Sequence, residues 1–234
     1  MTEEKKIERA MVIFAHPDDG EFGSAGTVAK WASDGVEVTY VVATDGSKGS
    51  SDPDMSPARL SELRYAEQRR AAEILGVSHV EFLGFEDGVL QETIELRKAI
   101  TAAIRRYRPD VCIVQNPIRS FELSTFVQHP DHLACGGAAL AALYPCARDR
   151  LTFPELLREG LEPHAVGEVL VVGTGEPDHY VDISSTIEIK VRALKAHDSQ
   201  VGQRPVEEFV PERAKRVAEG QNMEYAEAFR RLTI

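Results

Sequence analysis

Apolar residues in this chain come in short runs, and the segments between the runs carry them at helical spacing. "AMVIFAH", residues 10–16, is a brief apolar run cut off by polar residues, as in a strand buried on both faces. "GSAGTVAKWASDG" (23–35) is rich in small residues and closes on Gly35, which predicts a helix with its stop. "VEVTYVVAT" (36–44) is a second strand, and "DGSKGSSDPDMSP" (45–57) is a loop by composition. "ARLSELRYAEQRRAAEILG" (58–76) then reads as a helix ending at Gly76, and "VSHVEFLG" (77–84) as a strand. The alternation continues with a helix over 93–108 before Pro109, a buried strand in "DVCIVQN" (110–116), and a small-residue helix in "HLACGGAALAALYPCA" (132–147). Such alternation predicts an α/β fold: a Rossmann-like three-layer sandwich with a mostly parallel sheet and helices on both faces.

Beyond about residue 150 the pattern loosens. "GEVLVVGTGEPDHYVDIS" (167–184) reads as one or two strands with a turn, and "TIEIKVRALKAHDSQV" (186–201) as a helix. Residues 203–234 read as a charged, mostly helical tail. No repeat, low-complexity stretch or linker interrupts the chain, so residues 1–234 are expected to form one domain.

Composition narrows the function. A net charge of -11 argues against a general nucleic-acid binder and against docking on anionic membranes. No apolar stretch reaches the roughly 18–20 residues of a spanning helix, and the five-residue run after the N-terminus is too short for a signal core. Cys112, Cys135 and Cys146 show no CxxC spacing, which suits buried reduced thiols and a cytoplasmic location.

In open α/β sheets ligands bind beyond the carboxyl ends of the strands, and two acid-rich turns stand at such ends. "FAHPDDGEFG" (14–23) places His16 and Asp19 three apart, a nitrogen and an oxygen of the kind that bind zinc, with Asp18 between them. A helix cap would use the same residue types, and on this segment alone both readings stand. "QHPDHLACGG" (128–137) repeats the pattern and adds His129, Asp131 and His132. Together the two turns supply one more histidine for a metal and a spare His–Asp pair for proton transfer, which points to a catalytic metal site with an open position.

Ala15-His16-Pro17-Asp18-Asp19 with Glu21, and Gln128-His129-Pro130-Asp131-His132, resemble the two motifs of the LmbE/PIG-L family of zinc-dependent N-deacetylases. Weaker similarities lie at 43–46 (ATDG), 64–77 (RYAEQRRAAEILGV), 82–90 (FLGFEDGVL) and 190–201 (KVRALKAHDSQV), so the likeness covers most of residues 10–202. It implies His16, Asp19 and His132 as metal ligands and Asp18 as general base. It implies a protonated His129 facing the oxyanion, oriented by Asp131. Arg64 and Asp87 resemble positions lining the substrate pocket; a surface ion pair with Glu62 or Glu67 is the plain alternative for Arg64. His197 matches a recurring position with no catalytic role implied. Some members carry a tyrosine two residues before the second motif, where this chain has Val127, and "PIRSFELSTFVQ" (117–128) is the segment expected to shape the pocket.

The resemblance implies a hydrolase that removes the acetyl group from an N-acetylglucosaminyl compound, with Zn2+, or Fe2+ or another first-row ion, as cofactor. The competing enzyme reading is an amidase acting on a larger N-acyl glycoside or thiol conjugate. From another class comes a non-catalytic metal- or sugar-binding module, against which Asp18 and His129 speak, since binding alone needs neither base nor acid. The expected partner is a small soluble amino sugar, with no nucleic acid and no membrane. A homo-oligomer is compatible with the chain, though no heptad or interface stripe sets a number.

Overall fold

The structure, a computed structural model, describes residues 6–119, 127–202 and 204–234. The chain runs β1 (Arg9–Phe14), α1 (Asp19–Ser33), β2 (Glu37–Thr44), α2 (Pro57–Leu75), β3 (His79–Phe85), α3 (Ile94–Tyr107), β4 (Val111–Gln115) and α4 (Pro130–Ala141). It continues through α5 (Pro154–Arg158), β5 (Glu168–Val172), β6 (His179–Asp182), α6 (Ile187–Lys195), α7 (Asp198–Val201), α8 (Val206–Val217) and β7 (Ala226–Thr233). The strands form one sheet in the order β3-β2-β1-β4-β5-β7-β6. Every pairing from β3 to β5 is parallel, and β7 is antiparallel to both of its neighbours.

Successive side chains along β1 serve opposite faces, as the strand period requires. Met11 and Ile13 pack with Leu96, Ile100, Cys135 and Ala138 of α3 and α4. Val12 and Phe14 pack with Val28, Ala71, Leu75 and Ala193 of α1, α2 and α6. Burial on both faces is why these strands read as unbroken apolar runs. The three layers expected from the sequence are therefore present. Among the described residues no helix is long and apolar enough to cross a membrane.

Three local expectations change. The helix read through Ala147 ends at Ala141 and continues as a π-helical segment, Ala142–Cys146, broken at Tyr144 (φ -143°, ψ 121°). Pro145 is the physical cause: it offers no N–H and pushes the preceding residue out of helical space. The helix read over 186–201 is two helices, α6 and α7, with His197 at the corner. Among its described residues the tail is helical only in α8, and its last quarter is the strand β7, inserted between β5 and β6.

An ion pair locks β7 in place. Glu227, 5% exposed, accepts from the backbone N–H groups of Gly26 and Thr27 at 2.9 and 2.8 Å and pairs with Lys190 at 2.6 Å. Lys190 also donates to the Phe22 carbonyl at 3.0 Å, so α1, α6 and β7 meet at one buried charge pair. Glu227→Ala strands a buried ammonium and two N–H groups, and should cost about 3–5 kcal/mol of stability. Urea unfolding of the two chains measures it; a shift below about 1 kcal/mol, the range of a surface pair, would refute the lock.

Candidate active site

The strand order reverses between β1 and β4, so the chain leaves these neighbours in opposite directions and opens a crevice at their carboxyl ends. Gln115, the last residue of β4, spans that crevice. Its Oε1 accepts from Ala15 N at 2.9 Å, and its Nε2 donates to Asp19 Oδ2 at 3.2 Å. Close approach of α4 completes the floor: a Cβ on Gly136 would sit 2.3 Å from the Gln115 carbonyl oxygen, so only glycine fits there.

The turn from β1 into α1 passes through Asp18, whose backbone is left-handed (φ 99°, ψ -26°). A non-glycine residue pays about 1–3 kcal/mol for such a conformation. Two helix starts then face each other across the crevice, that of α1 with Asp18 and Asp19, and that of α4 with His129, Asp131 and His132.

Three donors converge. His16 Nδ1 lies 3.2 Å from Asp19 Oδ2 and 3.2 Å from His132 Nε2, and His132 Nε2 lies 3.1 Å from Asp19 Oδ1. Ligands about 2.0–2.1 Å from a tetrahedral zinc stand about 3.3 Å apart, so this triangle has the dimensions and the N/O donors of a metal site. A neighbouring triangle of His16, His129 and His132 is also compact enough. His129 is the weaker third ligand, because its Nδ1 already accepts from Asp131 N at 3.2 Å as the cap of α4.

A second carboxylate pair stands behind His16. Its Nε2 faces Asp131 Oδ2 and Asp87 Oδ1, each at 3.1 Å, an arrangement that leaves Nδ1 to the cluster. These three groups also lie close enough together to form a cation site of their own. Both carboxylates also accept from backbone: Asp131 from Gly88 N (2.7 Å) and Leu90 N (3.2 Å), and Asp87 from Lys48 N (3.0 Å). An imidazole N–H is the plain occupant.

Electrostatics follow from this packing. Burial opposes charge on His16, but hydrogen bonds to Asp131, Asp19 and Asp87 outweigh it and push its pKa up to about 12. Burial also opposes charge on Asp19, yet the His132 and His16 rings hold it well below the usual carboxylate range. Asp87 falls to about 2: burial is overcome by its hydrogen bonds from His16 and Lys48 N. Asp18 goes the other way, up to about 7, through burial and the neighbouring charge of Asp19, with Arg64 and His197 pulling against them. A carboxylate poised there is suited to take and return a proton near neutrality.

Arg64 is not a surface residue. It is 4% exposed, donates to the Pro17 and Gly46 carbonyls at 2.5 and 3.1 Å, and stands 3.5 Å from Asp18 Oδ2. Arg64 and Asp87 thus brace Asp18 and His16 from within the wall of the site. Asp131 likewise orients His16: its Oδ1 is 3.9 Å from His129 Nδ1, beyond hydrogen-bond reach. In the metal-free chain His129 is held toward the neutral form by burial and by the charge on His16. With Nδ1 accepting, the proton of the neutral ring sits on Nε2.

Two further residues belong to the site. Gln115 leaves a faint trace in the sequence, a polar residue closing an apolar strand; Gln68 lies in the family-like stretch 64–77 but is one polar residue among many on α2. Val127 is 80% exposed, and most of the segment expected to shape the pocket, residues 120–126, lies outside the described residues.

Comparison with known proteins gives a consistent result. The family model described as PIG-L, GlcNAc-PI de-N-acetylase, matches residues 11–143. The chain is 36% identical over 194 residues to a diacetylchitobiose deacetylase of Thermococcus kodakarensis, covering 83% of this chain and 70% of that protein. It is 30% identical over 201 residues to a Bacillus anthracis protein named "Probable N-acetyl-alpha-D-glucosaminyl L-malate deacetylase 2", covering 84% of this chain and 83% of the relative. The solved structure of N,N'-diacetylchitobiose deacetylase from Pyrococcus horikoshii superposes with a TM-score of 0.90 at 30% identity, over 98% of this chain and 85% of that one.

Proposed function

This chain belongs to the PIG-L family, and on that premise we propose that it is a metal-dependent hydrolase removing the acetyl group from an N-acetylglucosaminyl compound. The observation that carries the reading is the triangle of His16 Nδ1, Asp19 and His132 Nε2, with edges of 3.1–3.2 Å, beside a carboxyl group whose pKa is raised to about 7.

His16, Asp19 and His132 would hold the cation. When bound, a divalent ion lowers the pKa of a water and polarises an acyl carbonyl. The N/O donor set favours zinc; two histidines and one carboxylate also suit ferrous iron. Asp18 accepts a proton from the attacking water as its oxygen adds to the acetyl carbon. The carbon–nitrogen bond then breaks, and Asp18 returns the proton to the departing amine. His129, partly exposed beside the cluster, donates its Nε2–H to the oxygen that gains charge. Asp131 and Asp87 keep the His16 ring turned with Nδ1 toward the cluster, and Gln115 orients Asp19.

The diacetylchitobiose deacetylases among the relatives make a short N-acetylglucosamine saccharide the first compound to try. Amine release should appear with zinc- or iron-reconstituted enzyme and vanish after chelation. A folded, fully metallated chain that released amine from no N-acetylglucosamine compound, yet cleaved a larger N-acyl conjugate, would move the assignment to an amidase.

A further inference from the structure

Asp18 is held by a chain of buried groups, none of them in the metal triangle. His197 Nε2 lies 3.2 Å from Glu21 Oε2, and both side chains are wholly inaccessible to solvent. The other Glu21 oxygen accepts from Gln68 Nε2 at 2.9 Å. Gln68 Oε1 in turn accepts from the backbone N–H of Asp18 at 3.0 Å. Four segments meet in this line: the α6–α7 corner, the first turn of α1, the middle of α2 and the β1–α1 turn.

The order of the contacts fixes their direction. A carboxylate only accepts, so the Gln68 amide must turn its NH2 to Glu21 and its oxygen to Asp18. His197 stands at ion-pair distance from the other Glu21 oxygen, without hydrogen-bond geometry, and so favours the ionised carboxylate that imposes that choice. The recipient is one of three described non-glycine residues with a left-handed backbone, the others being Arg108 and Phe153, a conformation that persists only where surrounding structure over-determines it. Arg64 secures the preceding carbonyl, Pro17 O. Gln68 therefore acts on the one peptide group whose orientation aims the Asp18 carboxylate.

We infer that Gln68, oriented by the Glu21–His197 pair, is a positioning residue for the proton-accepting carboxylate of Asp18. The inference rests on the reading of Asp18 as the base. His197 also lies outside the segment that the family model covers, residues 11–143, so the late helices contribute to the site through this line.

Gln68→Met keeps length and volume and deletes both hydrogen bonds. In metal-loaded enzyme assayed by amine release from an N-acetylglucosamine disaccharide, it should lower kcat by roughly tenfold to a hundredfold, the cost of a misplaced reacting group. KM and metal stoichiometry should stay within twofold of wild type. On an Asp18→Asn background the same substitution should change the residual rate less than twofold, because the group it positions is gone. In the metal-free protein, hydrogen exchange at the Asp18 amide should accelerate in Gln68→Met and not in wild type.

An unchanged kcat, or equal losses on both backgrounds, would overturn the inference in favour of a structural role. If Asp18→Asn alone kept full activity, the base reading would fall, and exchange at the Asp18 amide would then decide the brace by itself. Should Gln68→Met not fold, Gln68→Asn, which keeps the amide but withdraws it, carries the same comparison.

Discussion

Asp18→Asn should bind metal with unchanged stoichiometry and release amine about a hundredfold to ten-thousandfold more slowly, the usual contribution of a general base. Asparagine keeps the shape of the side chain, tolerates the left-handed backbone better than most residues, and leaves the N–H to Gln68 intact. What it removes is a carboxyl group that burial and the charge of Asp19 bring to about 7. The base works ionised, so wild-type kcat/KM should fall as pH drops through the pKa of Asp18. A bound cation lowers that pKa, which puts the acid limb at or below pH 7; the variant should lack it. Full activity in Asp18→Asn, with metal present, would end the mechanism.

Metal affinity should rise with pH, and His16→Ala should abolish stoichiometric binding. In the metal-free chain His16 is pushed up to about 12, so it carries an extra proton throughout the working range. A cation needs its lone pair and must displace that proton, which makes affinity climb about tenfold per pH unit for each proton released. Calorimetric titration in buffers of different ionisation enthalpy counts those protons; none released would contradict the ligand assignment of His16. Stability moves the other way. A His pKa raised from 6.5 to about 12 stabilises the metal-free fold fully below pH 6.5, and that contribution drains away as pH rises toward 12. The increase in Tm on adding metal should therefore grow with pH, since tighter binding adds to the folded state by mass action.

The parts of the site that could be read before folding are those encoded within a few residues. His16 and Asp19, and again His129 and His132, are three residues apart where the chain turns into a helix, so each pair stays close wherever the helix goes. Roles that depend on which way a side chain turns were not readable. Arg64 and Asp87, expected at the substrate pocket, reach Asp18 and His16, contacts that no local pattern announces. Asp131 was expected to serve His129, its neighbour in sequence, but its carboxylate is aimed across the crevice at His16.

The same division holds for the fold. Apolar runs of strand length separated by helical segments determined the layered α/β sheet by themselves, because burial on both faces leaves only one pattern for a parallel strand. They equally determined that the first HPD turn lies at the end of a strand. β7 was beyond them. "AEAFRRLT" is made of good helix formers and charges, and it is a strand because Phe229 and Glu227 find a core and a buried lysine far away in sequence. Tertiary structure alone brought His16 Nδ1 within 3.2 Å of His132 Nε2, a contact spanning 116 residues. It alone drew Gln115, Gln68 and His197 in behind the acids. Local sequence records periodicity and caps, whereas a hydrogen bond between distant elements exists only once packing has set the distance.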